Sequence, residues 1–211
     1  IVSKEQMGDA VYMVLEAGDM VRTSFRAPGQ FVHVKCGEGL LLRRPISVCT
    51  CYSDEPSDLL TIVFEVRGEG TDWLARRPVG HSLDVLGLAG NGFTMKPEGR
   101  YLLVGGGIGI PPMLGCAQYT QGKSTAILGG RSADKIILQN CFQDECAKVL
   151  TATDDGSLGH HGFVDALVRR ELSEDRGYDG VLACGPKPML RNVAKVAEEF
   201  GIPCQVSMEE R

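Results

Sequence analysis

What the chain lacks narrows it first. No apolar run approaches the ~18–20 residues that span a bilayer, so no membrane-crossing helix is expected. No charged-then-apolar signal segment opens the sequence. Basic residues are not in excess. The formal net charge over 211 residues is −5, which argues against a general nucleic-acid binder, because neutralising phosphates takes a basic face. No C-x-x-C pair occurs among the eight cysteines, Cys36, Cys49, Cys51, Cys116, Cys141, Cys146, Cys184 and Cys204. Without the usual ligand spacings they are not expected to form a metal site by themselves. Several lie inside apolar runs, as in "ISVCTCY" and "VLACGP". That pattern reads as buried thiols in a reducing compartment, the cytoplasm, rather than a disulfide framework.

What is present fits a soluble globular protein: 43% hydrophobic and 23% charged residues. The length suits two small domains, each with its own core. Residues 1–97 read as short strands broken by turns. "QFVHVKC" (30–36) and "LLTIVFEVR" (59–67) are rich in β-branched and aromatic residues, and "APGQ", "SDEPSD" and "RGEGTD" are turn-formers. No long helix is expected there; residues 71–77 form at most a short one. This half is expected to be an antiparallel β-barrel or sandwich.

From residue 98 to 211 the rhythm changes. Strands at "YLLV", "STAILGG", "KVLTATDDG", "GVLACGP" and "CQVSME" alternate with helical stretches at "PPMLGCAQYTQG", "DKIILQNCFQDECA", "GFVDALVRREL" and "KPMLRNVAKVAEEFG". In the last helix Met189, Val193, Val196, Ala197 and Phe200 share one face, and Gly201 stops it. Such alternation means a Rossmann-like parallel sheet wrapped by helices, with ligands at the carboxyl ends of its strands.

"VGGGIGIPPML" (104–114) lies at one such end. Its spacing is not G-x-G-x-x-G, since Ile110 stands where the third glycine belongs. A strand, a glycine turn and a helix beginning at Pro111 still make an anion site, because the first amides of a helix lack internal partners. The glycines equally suit a tight turn and close packing. "CGPKPML" ends another strand in a similar turn. In the first half "RRPIS" places an arginine beside a proline at a strand end, a rigid fork for phosphate. "GEGT" (68–71) is a turn with free amides and a hydroxyl.

This ordered set, "LLRRPIS", "GEGT", "GGGIGIPPML", "TATDDGS", "GFV", "ACGPKPML" and "SMEER", resembles the ferredoxin–NADP reductase-like flavoproteins. Within them it resembles the electron-transfer subunits of class B dihydroorotate dehydrogenase. The resemblance covers nearly the whole chain. It implies an FAD-binding barrel over 1–97 and an NAD(H)-binding α/β domain over 98–211. Arg44 is then expected at the flavin pyrophosphate and Ser47 at the isoalloxazine, with Pro45 and Ile46 placing backbone against the ring. Val63, Phe64 and Glu65 match a flavin-lining strand segment, though an acid at 65 departs from relatives that carry arginine nearby. Gly70 and Thr71 match a phosphate-binding turn. Arg43 reads as a solvated neighbour, and His33 and His81 as ordinary surface or core side chains.

The resemblance further places Gly105, Gly106, Gly107 and Gly109 at the nicotinamide dinucleotide pyrophosphate. Asp154 and Asp155 fall near the same site, where turn formation explains them equally well. Cys184, Gly185 and Pro186 fall near the nicotinamide and flavin rings, Cys184 being also readable as a strand-end core thiol. No catalytic side chain is implied, because hydride passes directly between the cofactors. In "GGRSADK", where this fold tends to meet the adenosine ribose, Arg131 and Ser132 suit a 2′-phosphate while Asp134 opposes one, so the local residues leave NADH and NADPH open and the resemblance favours NADH.

In the family, "S-x-E-x-R" runs into a cysteine cluster holding a [2Fe–2S] centre. That segment is expected after residue 211. The implied partner is an FMN-containing dihydroorotate dehydrogenase catalytic subunit of pyrimidine biosynthesis, in a heterotetramer; no residue of this chain reads as pyrimidine chemistry. Two alternatives remain: a related subunit of a hydrogenase or of a ferredoxin:NADP transhydrogenase, and a non-catalytic scaffold that has lost flavin.

Overall fold

The chain divides into two units, Ile1–Gly92 and Phe93–Arg211. The structure is a computed structural model describing residues 1–53 and 56–208; Glu209, Glu210 and Arg211 of the "SMEER" motif lie outside the described residues.

Period-two alternation builds the first unit. Its strands are β1 (Ser3–Met7), β2 (Ala10–Glu16), β3 (Phe31–Val34), β4 (Arg44–Tyr52), β5 (Leu59–Glu65) and β6 (Val85–Ala89). They pair antiparallel in the order β1-β2-β5-β4-β3-β6. Every second residue enters one core: Val11, Met13 and Leu15 from β2, Val32 and Val34 from β3, Leu60, Ile62 and Phe64 from β5. Successive side chains of a strand point to opposite faces, so this spacing fixes which face is buried. Among the described residues β1 and β6 do not pair, so the antiparallel sheet is not closed by hydrogen bonds into a barrel.

Two short helices complete this unit, α1 (Met20–Ser24) and α2 (Glu69–Ala75). One sequence expectation needs correcting here. Arg44 and Pro45 open a strand rather than end one. β4 pairs with β3 from Arg44 onward but with β5 only from Val48. Pro45 therefore sits where no second ladder needs the amide it lacks.

The second unit alternates β7 (Tyr101–Gly106), α3 (Ile110–Tyr119), β8 (Thr125–Gly130), α4 (Gln139–Glu145), β9 (Lys148–Thr153), the two-residue β10 (His160–His161), α5 (Val164–Glu174), β11 (Gly180–Cys184), α6 (Lys187–Phe200) and β12 (Cys204–Ser207). All strands are parallel, in the order β10-β9-β8-β7-β11-β12. α5 and α6 bury Val164, Leu167, Val168, Leu172, Leu190, Val193, Val196 and Ala197 against Leu102, Val104 and Ile127 of the sheet. α4 is shorter than the apolar pattern of 134–147 suggests, because Leu138 takes a left-handed φ of 60° and starts the helix late.

Candidate functional site

The strand order itself selects a place for ligands. From β7 the chain moves outward through β8 and β9, then returns to lay β11 on the other side of β7. The order reverses at β7 and β11, and crevices outside the carboxyl ends of strands open at such switch points. The two glycine turns read from the sequence meet here: Gly105 pairs with Cys184 across the ladder.

The glycines at this point do different work. A Cβ on Gly109 would stand 2.3 Å from the Cys184 carbonyl oxygen and 2.7 Å from the Gly185 amide nitrogen. One on Gly105 would stand 2.8 Å from the Ile110 Cα. One on Gly106 would run into the Met189 sulfur, and one on Gly185 would stand 2.7 Å from the Met189 methyl carbon. At Gly109 and Gly105 the obstacle is backbone, at Gly106 and Gly185 first the movable end of the Met189 side chain. Gly107 differs: its φ is +55° and a Cβ there would meet nothing within 4 Å. It faces open space at the head of α3, whose first turn carries Pro111 and Pro112. Those early positions have no intrahelical amide partner to lose. Pro111 and Pro112 carry no amide hydrogen and the Ile110 amide is given to the Gly107 carbonyl, so what this turn offers a dinucleotide phosphate is the helix start and the room beside Gly107.

Asp155 is committed to its turn. Its carboxylate accepts from the Ser157 hydroxyl at 2.6 Å and the Ser157 amide at 2.9 Å. Those bonds, the hydroxyl first, hold its carboxyl below the ordinary range. Asp154 is exposed beside it and gives its amide to the Gly130 carbonyl. Cys184 closes β11 half-buried, Gly185 follows with a φ of +154°, and Pro186 is exposed as the N-cap of α6.

In the first unit, the structure brings Arg44 to Gly70. Arg44 gives one Nη1 bond to the Leu42 carbonyl at 2.6 Å and forms no ion pair among the described residues. Its neighbour Arg43 is spoken for, clasping both Asp84 carboxylate oxygens at 2.8 and 2.9 Å. The "GEGT" segment is the start of α2 rather than a free turn. The Thr71 hydroxyl accepts the Arg67 amide at 2.9 Å and the Gly68 amide at 3.2 Å and donates to the Gly68 carbonyl at 3.1 Å, so it is used locally at the head of α2. A guanidinium with unspent donors beside a glycine suits a phosphate. Glu65, by contrast, is ion-paired with Arg67.

Of the remaining expected residues, Ile46, Val63 and Phe64 are buried, so what Ile46 offers a ligand is backbone. Pro45 is exposed and Ser47 half-buried; they lie opposite His33 and Phe31 on β3. The aromatic rings of Phe31 and His33 meet edge-on at 5.2 Å. Burial is the leading influence on Cys36, Cys51, Cys116, Cys146 and Cys204 and pushes every one of these thiols up, Cys51 to about 11 and Cys146 to about 12. That is the opposite of an activated thiolate. Among the described residues no group of three or more His, Cys, Asp or Glu is arranged to hold a metal ion, and no helix is long and apolar enough to cross a membrane.

Sequence reasoning missed the Arg44–Gly70 contact, which depends on the fold. It also missed that the Thr71 hydroxyl of "GEGT" is bonded to the backbone of residues 67 and 68.

This pairing of an antiparallel sheet with a switch-point parallel sheet recurs in solved oxidoreductases. The structure of an NADH-dependent reduced ferredoxin–NADP oxidoreductase superposes with a TM-score of 0.84 at 29% identity, covering the whole chain and 76% of that one. The flavohemoglobin-like FAD/NAD-binding domain of nitric oxide dioxygenase from Vibrio cholerae gives 0.77 at 19% identity, over 97% of this chain and 95% of that one. The fold is that of the ferredoxin–NADP reductase-like flavoproteins. No family model matches. Among curated proteins, dihydroorotate dehydrogenase B (NAD(+)) electron transfer subunits align over the full chain. That of Bacillus pumilus is 35% identical over 81% of its length, and that of Bacillus caldolyticus 39% identical over 82%. The chain belongs to this family of oxidoreductase subunits.

Proposed function

We propose that this chain passes electrons between NAD(H) and FAD and, through a [2Fe–2S] cluster, to an FMN-containing catalytic subunit that oxidises dihydroorotate in cytoplasmic pyrimidine biosynthesis. The observation that carries the reading is Arg44, a guanidinium with no acid partner among the described residues, laid against Gly70. In this reading the first unit holds FAD, with Arg44, Gly70 and Thr71 at its diphosphate. Pro45, Ile46, Ser47, Val63, Phe64 and Glu65 line its ring. The second unit holds NAD(H) at Gly105, Gly106, Gly107 and Gly109, with Asp154 and Asp155 beside it, and Cys184, Gly185 and Pro186 at the ring end. When bound, the cofactors supply the hydride chemistry. The protein's residues bind the phosphates, orient the rings and exclude water.

The cluster takes four thiolates and is assigned to none of the cysteines among the described residues, which are not grouped for metal. A heterotetramer with the catalytic subunit follows from the family. The scaffold alternative is disfavoured by the retained Arg44 and Gly70 pair.

The test is an anaerobic titration of the FAD-loaded chain with NADH, watching the visible flavin band. Bleaching in proportion to NADH is expected. Arg44→Ala should load FAD poorly, which the fluorescence of Trp73, the chain's one tryptophan and a neighbour of Gly70 on α2, reports independently. A protein that takes up no FAD, or whose bound FAD never bleaches, defeats the proposal. Co-purification with an FMN-bearing protein tests the partner.

A further inference from the structure

We propose that Arg43, forked onto Asp84, is the positioning residue that holds Arg44 in place against Gly70. The consequence drawn for flavin rests on the FAD reading of the first unit, in which Arg44 meets the diphosphate and Arg43 acts only through it.

Arg44 needs holding because little else fixes the chain where it sits. It opens β4, and over Arg44–Ser47 that strand is laddered to β3 alone; β5 joins only at Val48. The loop leading in is poorly anchored too. Of its leucines at 40, 41 and 42 only Leu40 packs against the core, while Leu41 is 98% exposed and Leu42 75%. A strand start with one neighbour and an unpacked approach is a place where local opening is easy. A guanidinium carried on fraying backbone would have to be ordered each time an anion bound, which weakens binding.

Arg43 supplies the anchor. Its Nη2 donates to both Asp84 carboxylate oxygens, at 2.8 and 2.9 Å, and its Nη1 to the Asp84 carbonyl at 3.1 Å and the His33 carbonyl at 3.4 Å. Asp84 stands one residue before β6, and its carbonyl also accepts the Lys35 amide at 2.9 Å. The rows of the sheet explain the reach. Arg44 pairs with Val34 and Val34 with Val85, so residues 43, 35 and 84 come next in line. The Arg43 side chain thus crosses β3 and ties the entry of β4 to the entry of β6. A lone exposed ion pair contributes little, but a bidentate fork with two further carbonyl acceptors is fixed in one geometry.

The two neighbouring arginines are therefore in opposite states. Arg43 gives both terminal nitrogens to the protein, whereas Arg44 gives one bond, to the Leu42 carbonyl, and lies against Gly70. Arg43 is more than the solvated neighbour its sequence suggests.

The experiment follows Arg44 directly and then its consequence. By NMR of the flavin-free chain, the Arg44 Nε–Hε resonance, assigned by its loss in Arg44→Ala, should stand apart from those of solvated arginines. In Arg43→Ala and in Asp84→Asn it should move to the solvated position. FAD affinity, titrated by flavin fluorescence, should fall about three- to tenfold in both variants. On an Arg44→Ala background, Arg43→Ala should weaken FAD no further, since the residue it acts through is gone. Arg43→Lys should recover only part of the affinity, because an ammonium cannot reproduce the fork. Asp84→Asn decides alone if Arg43→Ala does not fold. An Arg44 resonance unmoved in these variants, losses that multiply in the double variant, or an Arg43→Lys variant equal to wild type overturns the proposal. If the resonance moves but FAD binds wild type and Arg44→Ala alike, or binds neither, the positioning stands and the FAD reading of Arg44 fails.

Discussion

The Nε of Arg44 lies 2.5 Å from where a Cβ on Gly70 would stand, and its Cζ 3.0 Å away. Only hydrogen at residue 70 lets the guanidinium lie against α2. Gly70→Ala should therefore push Arg44 off while slightly favouring the helix, since alanine is worth about 0.5–1 kcal/mol over glycine inside one. Binding and stability are expected to move in opposite directions. FAD affinity should fall about tenfold, the scale of one charge-assisted hydrogen bond, with thermal stability equal to or above wild type. A double-mutant cycle checks the cause. On an Arg44→Ala background, Gly70→Ala should cost little further affinity.

At the switch point two glycines make a matched pair for comparison. Gly109→Ala presses a methyl against the Cys184 carbonyl and the Gly185 amide nitrogen, and both obstacles are backbone that cannot swing aside. An overpacked contact of this kind costs about 1–3 kcal/mol. Gly107→Ala meets no atom within 4 Å, so its cost is the left-handed backbone alone, about 1 kcal/mol. Urea denaturation should rank Gly109→Ala below Gly107→Ala, both with the wild-type m-value. The reverse order would mean that the β7–β11 contact is looser than the backbone distances require.

How much of this was legible beforehand depends on the range of the cause. β5 was readable because "LLTIVFE" combines β-branched residues with alternation, and α6 because its apolar face repeats at helical spacing and ends at Gly201. These causes are local. The helix start at residue 110 was legible to within one position, since proline marks it. The over-long helix at 134–147 was a local misreading, because nothing in the leucine at 138 announces a left-handed φ. Arg44 was singled out from the sequence, but its strand was misplaced: which side of β4 goes unpaired is decided by β3 and β5, far along the chain. Likewise the glycines at 105–109 looked like a ligand loop. Gly109 answers to the end of β11 and Gly106 to Met189 of α6, neighbours that only the topology reveals, while Gly105 packs on Ile110 of its own turn and Gly107 meets nothing.

Glu171 of α5 is 5% exposed and receives the Lys148 ammonium on both oxygens, at 2.7 and 2.9 Å, tying that helix to the start of β9. Lys148→Met strands a buried carboxylate, with the Arg170 guanidinium 3.8 Å away as a weak substitute. The expected loss is about 1–3 kcal/mol, because the unpaired charge costs more than the pair contributes. Glu171→Gln on the Lys148→Met background should restore part of it. Chemical denaturation of the four species measures the coupling. Additive losses would show that the two side chains are independent.

Asp58 is expected to contribute to the acid sensitivity of the first unit. Its side chain is fully buried, accepts the Arg22 amide at 2.8 Å and the Ser53 hydroxyl at 3.2 Å, and lies 3.4 Å from the Arg22 guanidinium nitrogen. Burial alone would raise its carboxyl, but the hydrogen bonds and the Arg22 charge outweigh burial and hold it below the ordinary value. A carboxyl lowered on folding contributes stability that is complete above its unfolded pKa, about 3.9 for aspartate, and is lost as pH falls through the lower folded value. Thermal unfolding followed between neutral pH and about pH 2 should therefore show a melting temperature that drops on acidification, most steeply below about pH 4. Asp58→Asn should start lower at neutral pH and fall less steeply, since asparagine keeps an acceptor for Ser53 but cannot titrate or attract Arg22. Parallel acid limbs for the two proteins would assign the acid sensitivity to other carboxylates.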